Sequence, residues 1–198
     1  MSYRSFQITT DPTVAPVTTT DLKTHLRITH SSDDTLIGDY ATAAQDVMQR
    51  LLRRSLMVQT ITIKMDNFPS EAIELPRPPA LSVTSIQYVD TDGDTQTWAS
   101  ANYDVDISSE PARITPAYNS EVLQDFPDVR TDTPNSVTIV YQAGHSAVGD
   151  VNDTIRLAFK LLVGHYYENR EATSFAKLND LPLGLQMLMA AYEMPEVF

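Results

Sequence analysis

The sequence predicts an α+β fold: a mainly helical core of about four helices, formed by the N- and C-terminal thirds, with an inserted small antiparallel β module. The apolar period is helical over residues 20–54, becomes two-residue from Met57, and returns to helical after Gly149. Charge changes in step. Residues 1–65 hold six acids and seven bases, residues 66–150 fourteen and three, and residues 151–198 six and four, so the middle third carries -11 of a net -12. The boundaries that follow are 1–56 for the N-terminal helical part, 57–150 for the acidic β module and 151–198 for the C-terminal helical part and tail. The expectation is that the two helical parts pack together and the module projects from them.

Thr20 before Asp21 to Leu26 reads as the cap of a short first helix, and Ser32 as the cap of a longer one opening on Asp33 and Asp34. In the second helix Leu36, Ile37, Tyr40, Ala44, Val47, Leu51 and Leu52 recur at three- and four-residue spacings, which gathers them on one face. Arg50, Arg53 and Arg54 close it where cations complement the carbonyl end of the helix dipole. They read either as solvent-facing helix-end charges or as ion pairs to a neighbouring subunit.

Strands are predicted at Val58 to Met65, Ala72 to Leu75, Val83 to Val89, Thr95 to Trp98, Tyr103 to Ile107, Arg113 to Ile114 and Val137 to Tyr141, on their alternation and β-branched content. Pro76-Arg77-Pro78-Pro79, Asp92-Gly93, Pro111, Pro116, Pro127 and Pro134 supply the turns and edges between them. A third helix from about Asn152 to Asn169 carries Ile155, Ala158, Phe159, Leu162 and Val163 as its core stripe. A fourth, starting near Asp180 or Leu181 with Pro182 in its first turn, carries Leu185, Leu188, Met189 and Tyr192.

Several function classes are excluded or weakened by composition. The chain has no cysteine, so neither a disulfide framework nor a thiolate zinc site is available. No apolar run approaches the roughly 18 residues of a membrane span, and no export signal is read at the N-terminus. The acidic middle repels phosphate, which is gripped by Lys and Arg. His25, His30, His145 and His165 make no helical zinc pair, and His165 shares a helix face with Glu168. Ser146 lies in no nucleophile elbow, and Gly149 in no phosphate cradle. Asp90-Thr91-Asp92-Gly93-Asp94 has clustered carboxylates, but no later helical glutamate completes a calcium loop, so a hairpin turn is the reading. No catalytic residue, cofactor or metal is assigned.

Interface residues are the better candidates. Tyr166, Tyr167, Glu168 and Arg170 end the third helix with aromatic and guanidinium groups of the kind that anchor contacts, although the tyrosines could equally cap the core. Phe175, in an aperiodic connector, and Phe198, at the end of the tail, are candidates to order on a partner.

Four segments in order carry a resemblance: Leu22-Lys23-Thr24-His25-Leu26-Arg27-Ile28; Ser32-Asp33-Asp34-Thr35-Leu36-Ile37; Leu75-Pro76-Arg77-Pro78-Pro79 with Val83-Thr84-Ser85-Ile86; and Gly164-His165-Tyr166-Tyr167-Glu168-Asn169-Arg170-Glu171. Together they resemble the tailed-phage and prophage head-tail connector, adaptor or head-completion family, over about Val17 to Tyr192. The resemblance implies a non-enzymatic virion neck protein, assembled in the host bacterial cytoplasm as a homo-oligomeric ring, dodecameric in the virion. It further implies contact with the portal above and a tail or stopper protein below, with DNA passing through unbound. It places subunit packing on the helices from Ser32 to Arg54 and from Asn152 to Asn169. Some carboxylates of 66–150 could then face the channel or its mouth, or lie on the outside and serve solubility. Two other readings stand beside this: a different neck or baseplate part, and, more distantly, a metal-binding module or enzyme using Asp90, Asp92 and Asp94.

Overall fold

The computed structural model describes residues 5–119, 122–123, 125–170 and 183–195. They group into two compact units, one built from 13–57 with 145–195 and the other from 5–12 with 58–144.

The helical unit contains α1 (Thr19–Leu26), α2 (Asp34–Leu52), α3 (Asp153–Glu168) and α4 (Leu183–Ala190). The α1 helix starts two residues earlier than the sequence reading placed it. Its cap is Thr18, not Thr20, because Thr18 Oγ1 accepts from the Asp21 amide at 3.1 Å and donates to Asp21 Oδ2 at 2.8 Å. The helix ends on Arg27 in the left-handed region (φ 58°), with the Ile28 amide returning to the Lys23 carbonyl at 2.9 Å. For α2 the flanking residue is Asp33 rather than Ser32, and its side chain makes no cap bond. Asn152 caps α3, its Oδ1 accepting from the Thr154 amide at 2.8 Å.

Helix α2 packs on α3, and α1 and α4 both pack on α3. Their common core holds Leu22, Ile37, Ala44, Met48 and Leu52 against Ile155, Phe159, Leu162 and Val163. Leu185 and Met189 of α4 join it. Leu51 does not: it is exposed, while Gln45 and Gln49 are buried in its place. Gln49 is tolerated there because its Oε1 accepts the Leu56 amide at 3.0 Å, which fixes the turn leaving α2.

The strand unit is antiparallel throughout. Its strands are β1 (Ser5–Thr10), β2 (Gln59–Met65), β3 (Ile73–Leu75), β4 (Ala80–Val89), β5 (Thr95–Thr97), β6 (Tyr103–Asp106), β7 (Ala112–Pro116), β8 (Tyr118–Asn119), β9 (Val122–Leu123) and β10 (Val137–Ala143). They form a five-stranded sheet ordered β1-β2-β10-β4-β5, a three-stranded sheet ordered β3-β7-β6, and a β8-β9 pair. The alternation in β2 and β10 is realised residue by residue. Ile61 lies opposite Tyr141, Ile63 opposite Ile139 and Met65 opposite Val137, all buried. This face shares one core with Ile73, Leu75, Ala112 and Ile114 of the second sheet. An aromatic cluster joins it, with Phe68 stacked on Phe126 at 5.1 Å and Trp98 beside Tyr103 at 5.0 Å.

Strand β1 was not predicted. It lies inside the stretch, 1–56, that the sequence reading gave to the helical part, yet it pairs with β2 from Ser5 opposite Lys64 to Thr10 opposite Thr60. As an edge strand its burial is only partial, so its two-residue period is faint. The Asp90 to Asp94 stretch is a hairpin turn: Asp90 Oδ1 accepts from the Asp92 and Asp94 amides, and Gly93 takes φ 97°.

Candidate functional site

The sequence-selected residues of the helical unit fall into two polar clusters at the helix ends. In the first, the last turn of α3 reaches the first residues of α2. Tyr167 Oη donates to Asp33 Oδ2, Arg170 Nη2 donates to the same oxygen at 3.4 Å, and the Arg170 guanidinium sits 4.7 Å from the Tyr167 ring centre. The Tyr167 hydrogen bond, before any charge, holds the Asp33 carboxyl below its ordinary range, and the same bond raises the Tyr167 hydroxyl. Lys23 pairs with Asp34 at 2.7 Å beside it. Tyr166 faces the other way, its ring 6.3 Å from that of Tyr40, and burial raises its hydroxyl pKa. His165 is paired with Asn169, Nδ1 to Nδ2 at 3.3 Å, rather than with Glu168, which is exposed.

The second cluster sits where α2 ends. Arg53 takes the left-handed conformation (φ 54°), which reverses the chain and sends both arginines to the segment following α4. Arg53 Nη1 donates to the Met194 carbonyl at 3.0 Å and lies 3.5 Å from Glu193. Arg54 Nε donates to the Tyr192 carbonyl at 2.7 Å and Nη2 contacts Met194 Sδ at 3.3 Å. The Met194 amide in turn donates to the Leu52 carbonyl at 3.0 Å. Of the two alternatives for these arginines, free helix-end charges do not describe Arg53 and Arg54, which clasp the chain's own C-terminal segment. Only Arg50 stays exposed, at a long 4.0 Å from Asp46. Phe175 and Phe198 lie outside the described residues.

Both clusters are built to hold helix ends, and neither pairs a nucleophile with a base. Among the described residues no group of three or more His, Cys, Asp or Glu side chains could hold a metal ion, and no helix is long and apolar enough to cross a membrane.

Sequence reasoning missed a different feature. Leu157 and Leu161 of α3 are 46% and 40% exposed, on the side opposite its buried stripe, and Leu51 and Met187 are 41% and 70% exposed. Leu51 borders a shallow groove shared with Leu52, Gln186, Met189, Ala190 and Glu193. The available signal was that α3 is apolar on both sides, whereas a helix with one packed face needs only one.

Residues 17–105 match the family of phage gp6-like head-tail connector proteins. No curated protein matches the sequence. Among solved structures, a chain of the virion of a native gene transfer agent particle is 19% identical, with a TM-score of 0.76 over 98% of this chain and 97% of that one. A chain from the neck of an empty gene transfer agent particle, computed with C6 symmetry, is 19% identical with a TM-score of 0.75 over the same shares. One from the neck of the native particle, computed with C12 symmetry, is 18% identical with a TM-score of 0.66 over 96% of this chain and 98% of that one. The resemblance read in the sequence thus has a match in the family model, and the fold extends over nearly the whole of each related chain.

Proposed function

We propose, from a chain whose residues 17–105 match the head-tail connectors, that this protein is a structural component of the neck of a phage-like particle. Copies form a homo-oligomeric ring beneath the portal, lengthen the DNA channel and present a platform to a tail or stopper protein. The work is done by interfaces, not by a reaction. The observation that carries this reading is the extent of the family match: it runs from before α1 into β6 and so takes in parts of both the helical and the strand unit. The fold likeness to chains from particles described as necks with sixfold and twelvefold symmetry supports it, and a dodecamer is the copy number proposed.

The charge fits the same role. With -11 of its net -12 in residues 66–150, the strand unit supplies few cations to neutralise phosphates, so DNA can pass without being held. A ring would multiply any weak phosphate contact by its copy number, which makes such avoidance matter. Assembly then takes place in the cytoplasm of the bacterial host, with the portal as upstream partner.

Negative-stain images and sedimentation of the purified protein, alone and mixed with the portal of its own particle, test the proposal. Annular particles with an axial hole are expected. A monomer in both samples would overturn it.

A further inference from the structure

The outer faces of α2 and α3 differ in chemistry and lie on opposite flanks of the helical unit. The two helices meet through their buried stripes, Ile37, Ala44, Met48 and Leu52 on one and Ile155, Phe159, Leu162 and Val163 on the other. Whatever lies on the far side of each therefore points away from its neighbour. On α3 that side is apolar at its middle, with Lys160 beside the leucines, and carries Asp153 and Glu168 at its two ends. Leu157 and Leu161 are exposed one turn apart, Lys160 lies between them without an ion-pair partner among the described residues, and Arg156 is already engaged by Asp153. On α2 the corresponding stripe is small and acidic. It runs Asp39, Thr42, Ala43 and Asp46, all exposed, with Asp39 unpaired among the described residues and Asp46 only 4.0 Å from Arg50. Thr42 has its hydroxyl bonded to the Gly38 carbonyl at 3.1 Å, so it places little polar demand on a contact.

The dimensions agree. Asp39 and Asp46, seven residues apart, are separated by about 10.5 Å along the axis, and Leu157 and Leu161 by about 6 Å, so two leucines fit between the carboxylates. Large side chains on one helix against small ones on another permit close packing, and Lys160 would meet a carboxylate. A face that complements a different face, on the opposite flank, generates a head-to-tail contact. Such a contact repeats with a constant step and closes into a ring when the step is a rotation that divides a full turn, whereas a self-complementary face would stop at a dimer.

We propose that Leu157, Lys160 and Leu161 of one copy dock on the Asp39, Thr42, Ala43 and Asp46 face of α2 in the next. This rests on the ring reading above and adds to it which two faces meet and in which sense.

Because the chain has no cysteine, single thiols report contacts between copies cleanly. Leu157→Cys and Ala43→Cys are made separately, mixed at high protein concentration with the portal, and oxidised. The mixed disulfide is expected to dominate over either homodimer, and the double variant Ala43→Cys/Leu157→Cys is expected to give a ladder of multimers. In parallel, Lys160→Glu should weaken ring assembly by about tenfold or more, and adding Asp39→Lys and Asp46→Lys should restore it. Homodimers only, or no cross-link while wild-type rings are seen in negative stain, would overturn the face assignment and leave the ring standing. Absence of both rings and cross-links would overturn the two together.

Discussion

Replacing Arg54 by alanine tests whether the C-terminal segment is clasped rather than merely adjacent. The substitution removes the 2.7 Å bond to the Tyr192 carbonyl and the 3.3 Å contact to Met194 Sδ, both partly buried. A hydrogen bond from a charged donor contributes about 1.5–3 kcal/mol, and partial exposure lowers this to about 1–2 kcal/mol. The loss is confined to this segment, whose other ties, the Arg53 bond to the Met194 carbonyl and the Met194 amide to the Leu52 carbonyl, both at 3.0 Å, are kept. Hydrogen exchange at the Met194 amide should therefore accelerate by about 5–30-fold, the factor that 1–2 kcal/mol represents. Arg53→Gly provides the contrast. It loses a bond of 3.0 Å and an ion pair whose side chains are 39% and 49% exposed, but relieves a non-glycine residue at φ 54°. The strain relief acts on the end of α2 and not on release of the C-terminal segment, so Met194 exchange should again accelerate, by about fivefold, the factor that about 1 kcal/mol represents. An unchanged Met194 amide in Arg54→Ala would refute the clasp.

Gly164 stands in the last turns of α3, where an added Cβ would lie 3.6 Å from Leu26 and 3.7 Å from His25, ordinary contact distances. Gly164→Ala should accordingly stabilise the helical unit by about 0.5–1 kcal/mol in urea unfolding through backbone entropy; a destabilisation would mean that α1 sits closer than these distances allow. Gly93→Ala should do the opposite, since Gly93 has φ 97° and its Cβ would fall 2.7 Å from Arg130 Nη1, and a melting temperature equal to wild type would contradict it. Acid unfolding should show the depressed carboxyls. Asp33, held low first by the Tyr167 bond, and Asp106, held low first by Ser108 and then by Arg113, stabilise the fold above the unfolded value of about 3.9 and lose that contribution as pH falls through their folded values. Tyr167→Phe and Arg113→Ala should flatten the acid limb, and a superimposable pH profile would count against both. Calcium at millimolar concentration should leave the melting temperature unchanged, because the Asp90 carboxylate is taken up by the Asp92 and Asp94 amides and by Gln96; a clear rise would reopen the metal reading.

What the sequence determined by itself is what short-range periodicity encodes. The switch from helical to two-residue period located α2, α3, β2, β4 and β10, because contacts at three or four residues along a helix and at two along a strand are written in neighbouring positions. The charge partition and the absence of catalytic spacing were equally local. Even the Thr18 cap is legible, as Thr-x-x-Asp, although Thr20 stands nearer to the first apolar residue of the helix.

Tertiary structure alone decided the rest. That β1 joins the sheet depends on pairing with strand residues fifty or more positions away. That Asp33 meets Tyr167 and Arg54 meets Tyr192 depends on partners 134 and 138 residues apart, a closure no local pattern records. The apolar period gave the core stripe of α3, but not that Leu157 and Leu161 on its other side are left uncovered by its neighbours. How many faces of a helix are buried is fixed by how many elements pack on it, and that number exists only once the chain has folded.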